Sequence, residues 1–291
     1  MVIQARFYET YYFCNIIRNV LHDQFTYIRN LHDFYGDDAY LNLIDPFEKY
    51  STFHRFIEFI VDDVFYESAS SIDLDKRKED LERFADLPPV LKDGKYKKLP
   101  VELALEFHGI KHCAFEEYLK EKNKTFIECT EDDIYDYMAE LRFTGEYEAL
   151  IEQTVKEVFH VLFQNRELML LFNDMVSKGI KFQVECGVPE EVEELFKDNG
   201  TLIRKTIPKW VQRAVFFRDR GRCVLCDKDL SGILNYENVE NYDHIVPLAR
   251  YGLNDVSNIQ LLCKECNQIE KKAGTPATSN NYQSWYAYDE T

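Results

Sequence analysis

Apolar residues recur at helical spacing through most of the first 200 positions. Phe53, Phe56, Ile57, Ile60, Val61, Val64 and Phe65 follow the i, i+3, i+4, i+7 rule and predict a one-faced helix. Pro46 after Asp45 reads as its opening turn. The longest pattern runs from about Glu146 to Phe172. There Tyr147, Leu150, Ile151, Thr154, Val155, Val158, Phe159 and Leu162 share one face, and Glu148, Glu152, Lys156 and Glu157 lie off it. Shorter helices are predicted near Asp73–Ala85, Phe115–Lys122, Asp132–Arg142 and Glu190–Lys197. Breaks are expected at Leu87-Pro88-Pro89, Asp93-Gly94, Gly179 and Gly187-Val188-Pro189. No internal repeat is visible, and the fold class is mainly α.

After Asn199-Gly200 the pattern changes. Thr206-Ile207-Pro208 resembles a capped helix start and Gly221 a helix stop, with Ile207, Val211, Ala214 and Val215 lining one side between them. Val239–His244 then predicts a strand, Pro247–Asn254 a loop, Ile259–Leu262 a returning strand and Lys264–Lys272 a helix. The order is a β-hairpin followed by a helix.

Composition adds little to the fold but bounds the setting. Apolar residues make up 45% and charged residues 30%, a globular balance. No run approaches the roughly 18 apolar residues of a membrane span, and the first residues lack the order of a secretory signal, so a cytoplasmic protein is expected. The net charge of −17 is unevenly spread. Residues 1–200 carry 23 basic and 41 acidic side chains, whereas 201–291 carry 12 and 11. This asymmetry predicts an acidic helical domain over 1–200, a second domain over 201–274 and a polar, aromatic tail over 275–291. The tail, with Tyr282, Trp285, Tyr286 and Tyr288, is open to three fates: packing back, stacking on bases or remaining mobile. Arg204–Arg222 holds seven basic residues against Asp219 alone, a local patch suited to phosphate.

The cysteines carry the strongest chemical signal. Cys14, Cys113, Cys129 and Cys186 are scattered, but Cys223/Cys226 and Cys263/Cys266 form two CxxC pairs. Two such knuckles close a tetrahedral four-thiolate site, and Zn²⁺ is the expected structural ion. Between them stand Asp243 and His244, and Asn267 follows the last cysteine. A carboxylate and an amide oxygen are hard ligands suited to Mg²⁺ or Mn²⁺, and an imidazole titrating near neutrality suits a general base. Adjacent strand residues face opposite ways, so using both Asp243 and His244 requires the strand to end or bend there. His108 and His112 stand at i, i+4, but Gly109 intervenes and no third ligand is evident, which argues against a metal site. The acidic clusters of 1–200 read as solvated helix faces.

Phe217-Arg-Asp-Arg-Gly-Arg-Cys223-Val-Leu-Cys226, Asp243-His244-Ile-Val-Pro247 and Asn258-Ile-Gln-Leu-Leu-Cys263-Lys-Glu-Cys266-Asn267 together resemble the HNH, or ββα-metal, endonuclease family. The resemblance covers about Ala214 to Gly274. It implies that His244 is the general base, that Asp243 and Asn267 hold the catalytic divalent ion, and that Asn258 braces the loop that aims the histidine. It also implies that the four cysteines hold structural zinc and that the substrate is DNA, cut to leave a 5′-phosphate and a 3′-hydroxyl. The last motif letter is Asn267 rather than His, Glu270 stands where a basic residue is common, and the insert Asp227–Tyr242 is long. Lys209, Arg213, Arg218, Arg220, Arg222, Arg250, Lys271 and Lys272 are the candidate nucleic-acid contacts.

The expectation is thus a metal-dependent endonuclease acting on double-stranded DNA, in a setting such as bacterial restriction or anti-phage defence. Two competing readings are a zinc-stapled binding module without turnover and an RNA-directed nuclease. For residues 1–200 the sequence leaves open a regulatory partner-binding role, a homodimer contact and a plain scaffold, because an acidic region adds no affinity for nucleic acid.

Overall fold

The computed structural model describes residues 8–35, 39–70, 72–83, 98–232, 241–270 and 275–280. The fold is mainly α, with one two-stranded sheet among the described residues. The helices are α1 (Tyr8–His22), α2 (Ile28–Tyr35), α3 (Thr52–Ser70), α4 (Leu74–Arg83), α5 (Pro100–Phe107), α6 (Phe115–Glu121), α7 (Glu131–Thr144), α8 (Glu146–Leu162), α9 (Arg166–Cys186) and α10 (Lys209–Arg218). Strands β1 (Asn241–His244) and β2 (Ile259–Leu262) pair antiparallel. No helix among the described residues is long and apolar enough to cross a membrane.

The chain divides into two compact units, each made of two segments: Met1–Phe13 with Ile57–Val158, and Cys14–Phe56 with Phe159–Thr291. The charge-based boundary at residue 200 and this partition are different divisions of the chain.

In the first unit, Phe65, Leu105, Phe115, Tyr137, Tyr147, Leu150 and Val155 are buried, on the helical faces that their spacing predicts. Buried Glu102 joins two helix starts, accepting hydrogen bonds from Leu99 N at 2.6 Å and Phe115 N at 2.9 Å. His108 closes α5, and Gly109 (φ +69°) then turns the chain, so His112 lies in the following loop. The two histidines therefore do not share a helical face.

Four expectations are corrected. The helix expected over Glu146–Phe172 is two helices, because Asn165 caps a new one by accepting from Leu168 N at 3.0 Å. Gly179 does not break α9; an added Cβ would lie 2.9 Å from the Tyr35 ring, so glycine permits close approach. Helix α3 opens at Ser51-Thr52 rather than at Pro46, with Ser51 Oγ 2.7 Å from His54 Nδ1. The predicted helix at Glu190–Lys197 is a 3₁₀ segment, Glu190–Leu195. The breaks at 87–89 and 93–94 lie outside the described residues.

In the second unit α9 and α10 flank the hairpin region. Phe53, Phe56 and Phe172 form a buried ring cluster, with centroids 4.9 Å and 5.3 Å from Phe172. Val211 and Val215 of α10 and Val224, Ile245, Val246, Leu253, Val256, Ile259, Leu261 and Leu262 supply a separate small core.

Candidate metal centre and catalytic site

The first knuckle follows directly from α10. Cys223 N donates to Lys228 O and Asp227 N to Cys223 O, both at 2.9 Å, and Asp227 takes a left-handed φ of +59° to close the turn. Arg222 Nη1 donates to Asp227 O at 2.9 Å, so this arginine serves the knuckle itself. The second knuckle starts where β2 ends. Asn267 N donates to Cys263 O at 3.0 Å, and Cys266 N donates to Cys263 Sγ at 3.4 Å. The four Sγ atoms lie within 4.8 Å of one another, and Cys226 Sγ is 3.7 Å from Cys263 Sγ. A tetrahedral ion with bonds of about 2.3 Å requires sulfur separations of about 3.8 Å, so the donor set fits zinc. Burial pushes the Cys263 thiol up to about 11, so loading a metal must expel protons from the pair.

Beneath the hairpin is a buried ionic seat. Asp219 accepts from Arg218 Nε at 2.8 Å, Arg218 Nη2 at 2.9 Å and Leu261 N at 2.9 Å, and Arg166 Nη1 approaches it at 3.6 Å. Arg218 Nη2 also donates to Ile259 O at 2.6 Å, and the guanidinium lies 5.0 Å from the Phe163 ring centroid. Arg218 is 1% exposed. Its expected place among the nucleic-acid contacts is therefore corrected: the side chain holds β2 from below. Lys209, Arg213, Arg220 and Arg250 are exposed, and Lys271 and Lys272 lie outside the described residues.

On the hairpin, Asp243 faces Gln260 and His244 faces Ile259. The strand ends at His244, as use of both side chains requires. Asp243 is partly exposed, with Arg204 Nη2 at 3.4 Å from its Oδ1, whereas His244 is buried. His244 Nε2 lies 3.3 Å from Asn254 Oδ1. The orientation of that amide is fixed elsewhere, because Asn254 Nδ2 donates to Ile203 O at 2.9 Å and Lys205 N donates to Asn254 Oδ1 at 3.4 Å. Asn267 is half-buried on the wide helical turn Cys266–Glu270, and the last two residues of the helix expected over Lys264–Lys272 lie outside the described residues.

Asn258 clasps the loop after His244. Its Oδ1 accepts from Val246 N at 2.8 Å, and its Nδ2 donates to Val246 O at 3.0 Å and Leu253 O at 2.9 Å. Asp255 braces the same loop from the other side. This buried carboxylate accepts from Ser257 N at 2.8 Å, Ser257 Oγ at 2.7 Å and Thr52 N at 2.9 Å, the last at the first turn of α3. Burial raises its carboxyl, and these hydrogen bonds oppose that rise. Phe47 N donates to Asn254 O at 2.8 Å, and Asn173 of α9 donates to Ser257 Oγ at 3.2 Å. The loop is thus held by residues near positions 50 and 170.

The start of the tail packs back on the hairpin. Ala277 N donates to Ile245 O at 3.2 Å, Gln260 Nε2 donates to Ala277 O at 2.7 Å, and Ser279 Oγ donates to Val224 O. Arg166 Nε donates to Ser279 O at 2.6 Å. Tyr282, Trp285, Tyr286 and Tyr288 lie outside the described residues.

Residues 223–283 match the family model for HNH endonuclease. This stretch is an HNH endonuclease domain. It makes the chain a nuclease, a phosphodiester hydrolase with nucleic acid as its substrate class. The match takes in the segment 275–280 that packs back on the hairpin. No curated protein and no solved structure is significantly similar to the chain. Sequence reasoning singled out the cysteines, Asp243, His244, Asn258 and Asn267, but missed Asn254, Asp255, Asp219 and Arg166. Of these, only Asp255 had a local signal, as an Asx cap two residues before Ser257.

Proposed function

We propose that the HNH domain is a metal-dependent DNA endonuclease in which His244 draws a proton from the attacking water. The observation that carries this reading is the fixed amide of Asn254. With Asn254 Nδ2 committed to Ile203 O, its Oδ1 faces His244, so His244 Nε2 must be the protonated nitrogen. Nδ1 is then the basic nitrogen of the neutral ring, and the aim of the ring is set by β1 and the Asn258 clasp.

Asp243 and Asn267 supply oxygen donors of the kind Mg²⁺ and Mn²⁺ prefer, and they would hold one such ion. When bound, that ion supplies charge stabilisation at the phosphate and the leaving oxygen. Arg204, beside Asp243, holds a positive charge on the same carboxylate and has to yield when the ion binds. Zn²⁺ on the four cysteines fixes both knuckles and leaves the open site to the hard cation. Lys209, Arg213, Arg220 and Arg250 supply exposed charge for the phosphate backbone of duplex DNA.

The test is nicking of supercoiled plasmid with Mg²⁺ or Mn²⁺. His244→Ala is expected to lower the rate by about 10²–10⁴, and Asn254→Ala to lower it by a smaller factor without altering zinc content. Full activity in His244→Ala refutes the base assignment, and DNA binding without nicking by the unaltered protein supports a module without turnover. Cleavage of RNA in preference to plasmid overturns the DNA assignment.

Residues 1–200 have no chemistry of their own in this reading. Their acidic surface suits a regulatory protein partner or a second copy of the chain rather than DNA, in keeping with a cytoplasmic restriction or anti-phage nuclease. Loss of phage restriction in cells carrying His244→Ala would support that setting, and unaltered plaque counts on adding the wild-type gene would refute it.

A further inference from the structure

Beside the catalytic loop is a cleft of about 360 Å³, open to solvent on one side. Asp174, Ser177, Lys178 and Lys181 of α9 form one wall, and Arg250 and Tyr251 form the other. Three cations against one acid leave the lining net positive. Lys178 pairs with Asp174 at 2.7 Å and Lys181 with Glu185 at 3.7 Å, both exposed i, i+4 pairs. Exposed pairs of this kind are weak, so they yield readily to a phosphate. Arg250 has no ion-pair partner among the described residues.

The Tyr251 wall is rigid and strained. Tyr251 has a φ of +62°, in the left-handed region that aromatic residues rarely occupy. The turn that holds it is closed by Arg250 N to Pro247 O at 2.8 Å, Tyr251 N to Leu248 O at 3.0 Å and Gly252 N to Pro247 O at 3.2 Å. A Cβ on Gly252 would fall 2.0 Å from Val246 O, so only glycine lets the turn close on Val246. Val246 is itself clasped by Asn258. An unfavourable backbone angle is therefore maintained at a ring that faces a basic cleft, seven residues after His244. Strain kept in place by its surroundings is characteristic of binding sites.

We infer that this cleft takes one unpaired nucleotide of the substrate, its base stacked on Tyr251 and its flanking phosphates on Arg250 and Lys181. A ring and cations around a volume of this size suit a nucleotide, and a base inside a duplex cannot reach the ring without leaving its stack. The nuclease then prefers nucleic acid with an unpaired residue next to the scissile bond: a flap, an overhang or a mismatch. The inference rests on the nuclease reading and adds the feature of the substrate that is recognised.

The test is fluorescence anisotropy of the full chain, zinc-loaded and without added Mg²⁺ or Mn²⁺, on blunt duplex DNA and on the same duplex with a short single-stranded overhang. Tyr251→Asn keeps a residue tolerant of positive φ while removing the ring, and Tyr251→Phe keeps the ring. The inference expects Tyr251→Asn to weaken overhang binding by roughly tenfold, with blunt-duplex binding unaltered and Tyr251→Phe close to wild type. Arg250→Ala and Lys181→Ala should each reduce the slope of log affinity against log salt by about 0.7 on the overhang. Lys120→Ala, at an exposed position of α6, should leave the slope unaltered. If all cleft variants bind the overhang as wild type does while plasmid nicking persists, the cleft inference is overturned and the nuclease reading stands. If the unaltered protein neither binds nor nicks DNA, both are overturned.

Discussion

Asn258→Asp replaces one buried atom pair with an isosteric one and tests the clasp behind His244. In the native loop, Asn258 Nδ2 donates to Val246 O at 3.0 Å and Leu253 O at 2.9 Å, and Asn258 is 0% exposed. A carboxylate sets an acceptor against two buried acceptors. Each carbonyl deprived of its donor costs about 1–3 kcal/mol, and desolvation of the charge adds to that. The expected loss at pH 7 is about 3–5 kcal/mol, which lowers Tm by roughly 10 °C for a unit of this size. The loss carries a pH signature. Burial and the two carbonyls raise the carboxyl of the folded variant above its unfolded value near 4. Between those two values the folded state binds more protons, so the variant regains stability as pH falls and loses it as pH rises. Protonation restores one donor, so about half the loss should return at low pH. Asn258→Ala, which adds no charge but also deprives Val246 N of its acceptor, should lose about 3–5 kcal/mol with no such recovery. Thermal melts of the zinc-loaded proteins from pH 5 to 8 measure both. A loss below about 1 kcal/mol at pH 7, or identical pH profiles for the two variants, refutes the clasp as described.

Three further expectations follow from the same contacts. Cys226→Ser, at the exposed member of the thiolate cluster, should reduce bound zinc well below one ion per chain by elemental analysis. It should also remove several of the roughly 10–16 kcal/mol that such an ion contributes. A fragment of residues 201–291 should be largely unfolded or inactive by circular dichroism and plasmid nicking even with zinc. It lacks Phe47, Thr52, Arg166 and Asn173, the partners of Asn254, Asp255, Asp219 and Ser257. His54, stacked on Phe159 at 3.7 Å, is pushed down to about 4 by burial and then by His160. The unfolded chain takes up that proton near 6.5, so this contribution is complete above pH 6.5 and fades as pH falls toward 4. His54→Phe should flatten the stability profile between pH 6.5 and 5 by about 1–2 kcal/mol in chemical denaturation.

The elements that the sequence reveals are those whose cause is local. Ile259–Leu262 matches the predicted return strand residue for residue, because its turn signals and the next cysteine bound it on both sides. The four-thiolate cluster was legible because CxxC spacing forces two ligands into one knuckle wherever it occurs. The break at Phe163–Asn165 was not, since the apolar face stays in phase through Phe163, Leu168 and Met169 and hides the cap at Asn165. Nor could a count of charges separate Arg218 from Arg213 and Arg220. All three lie in one basic stretch, and only the pairing of Arg218 with Asp219 beneath β2 shows that one of them faces inward.

The same distinction explains why charge and packing partition the chain differently. Net charge is written mostly by exposed side chains, and it changes sign near residue 200. The bracing of the catalytic loop is written by buried ones, and Thr52 N meets Asp255 across 203 positions of sequence. A boundary drawn from charge therefore cuts through the hydrogen bonds that hold the loop after His244. Asp255 shows the consequence most directly. Buried, its carboxyl is held by donors from both sides of that boundary, two from Ser257 and one from Thr52. Removing the N-terminal partner deprives a buried carboxylate of one donor, at a cost of about 1.5–3 kcal/mol for a bond to a charged group. On this argument the 44–56 segment is part of the nuclease's scaffold, even though its sequence carries none of the family's motif.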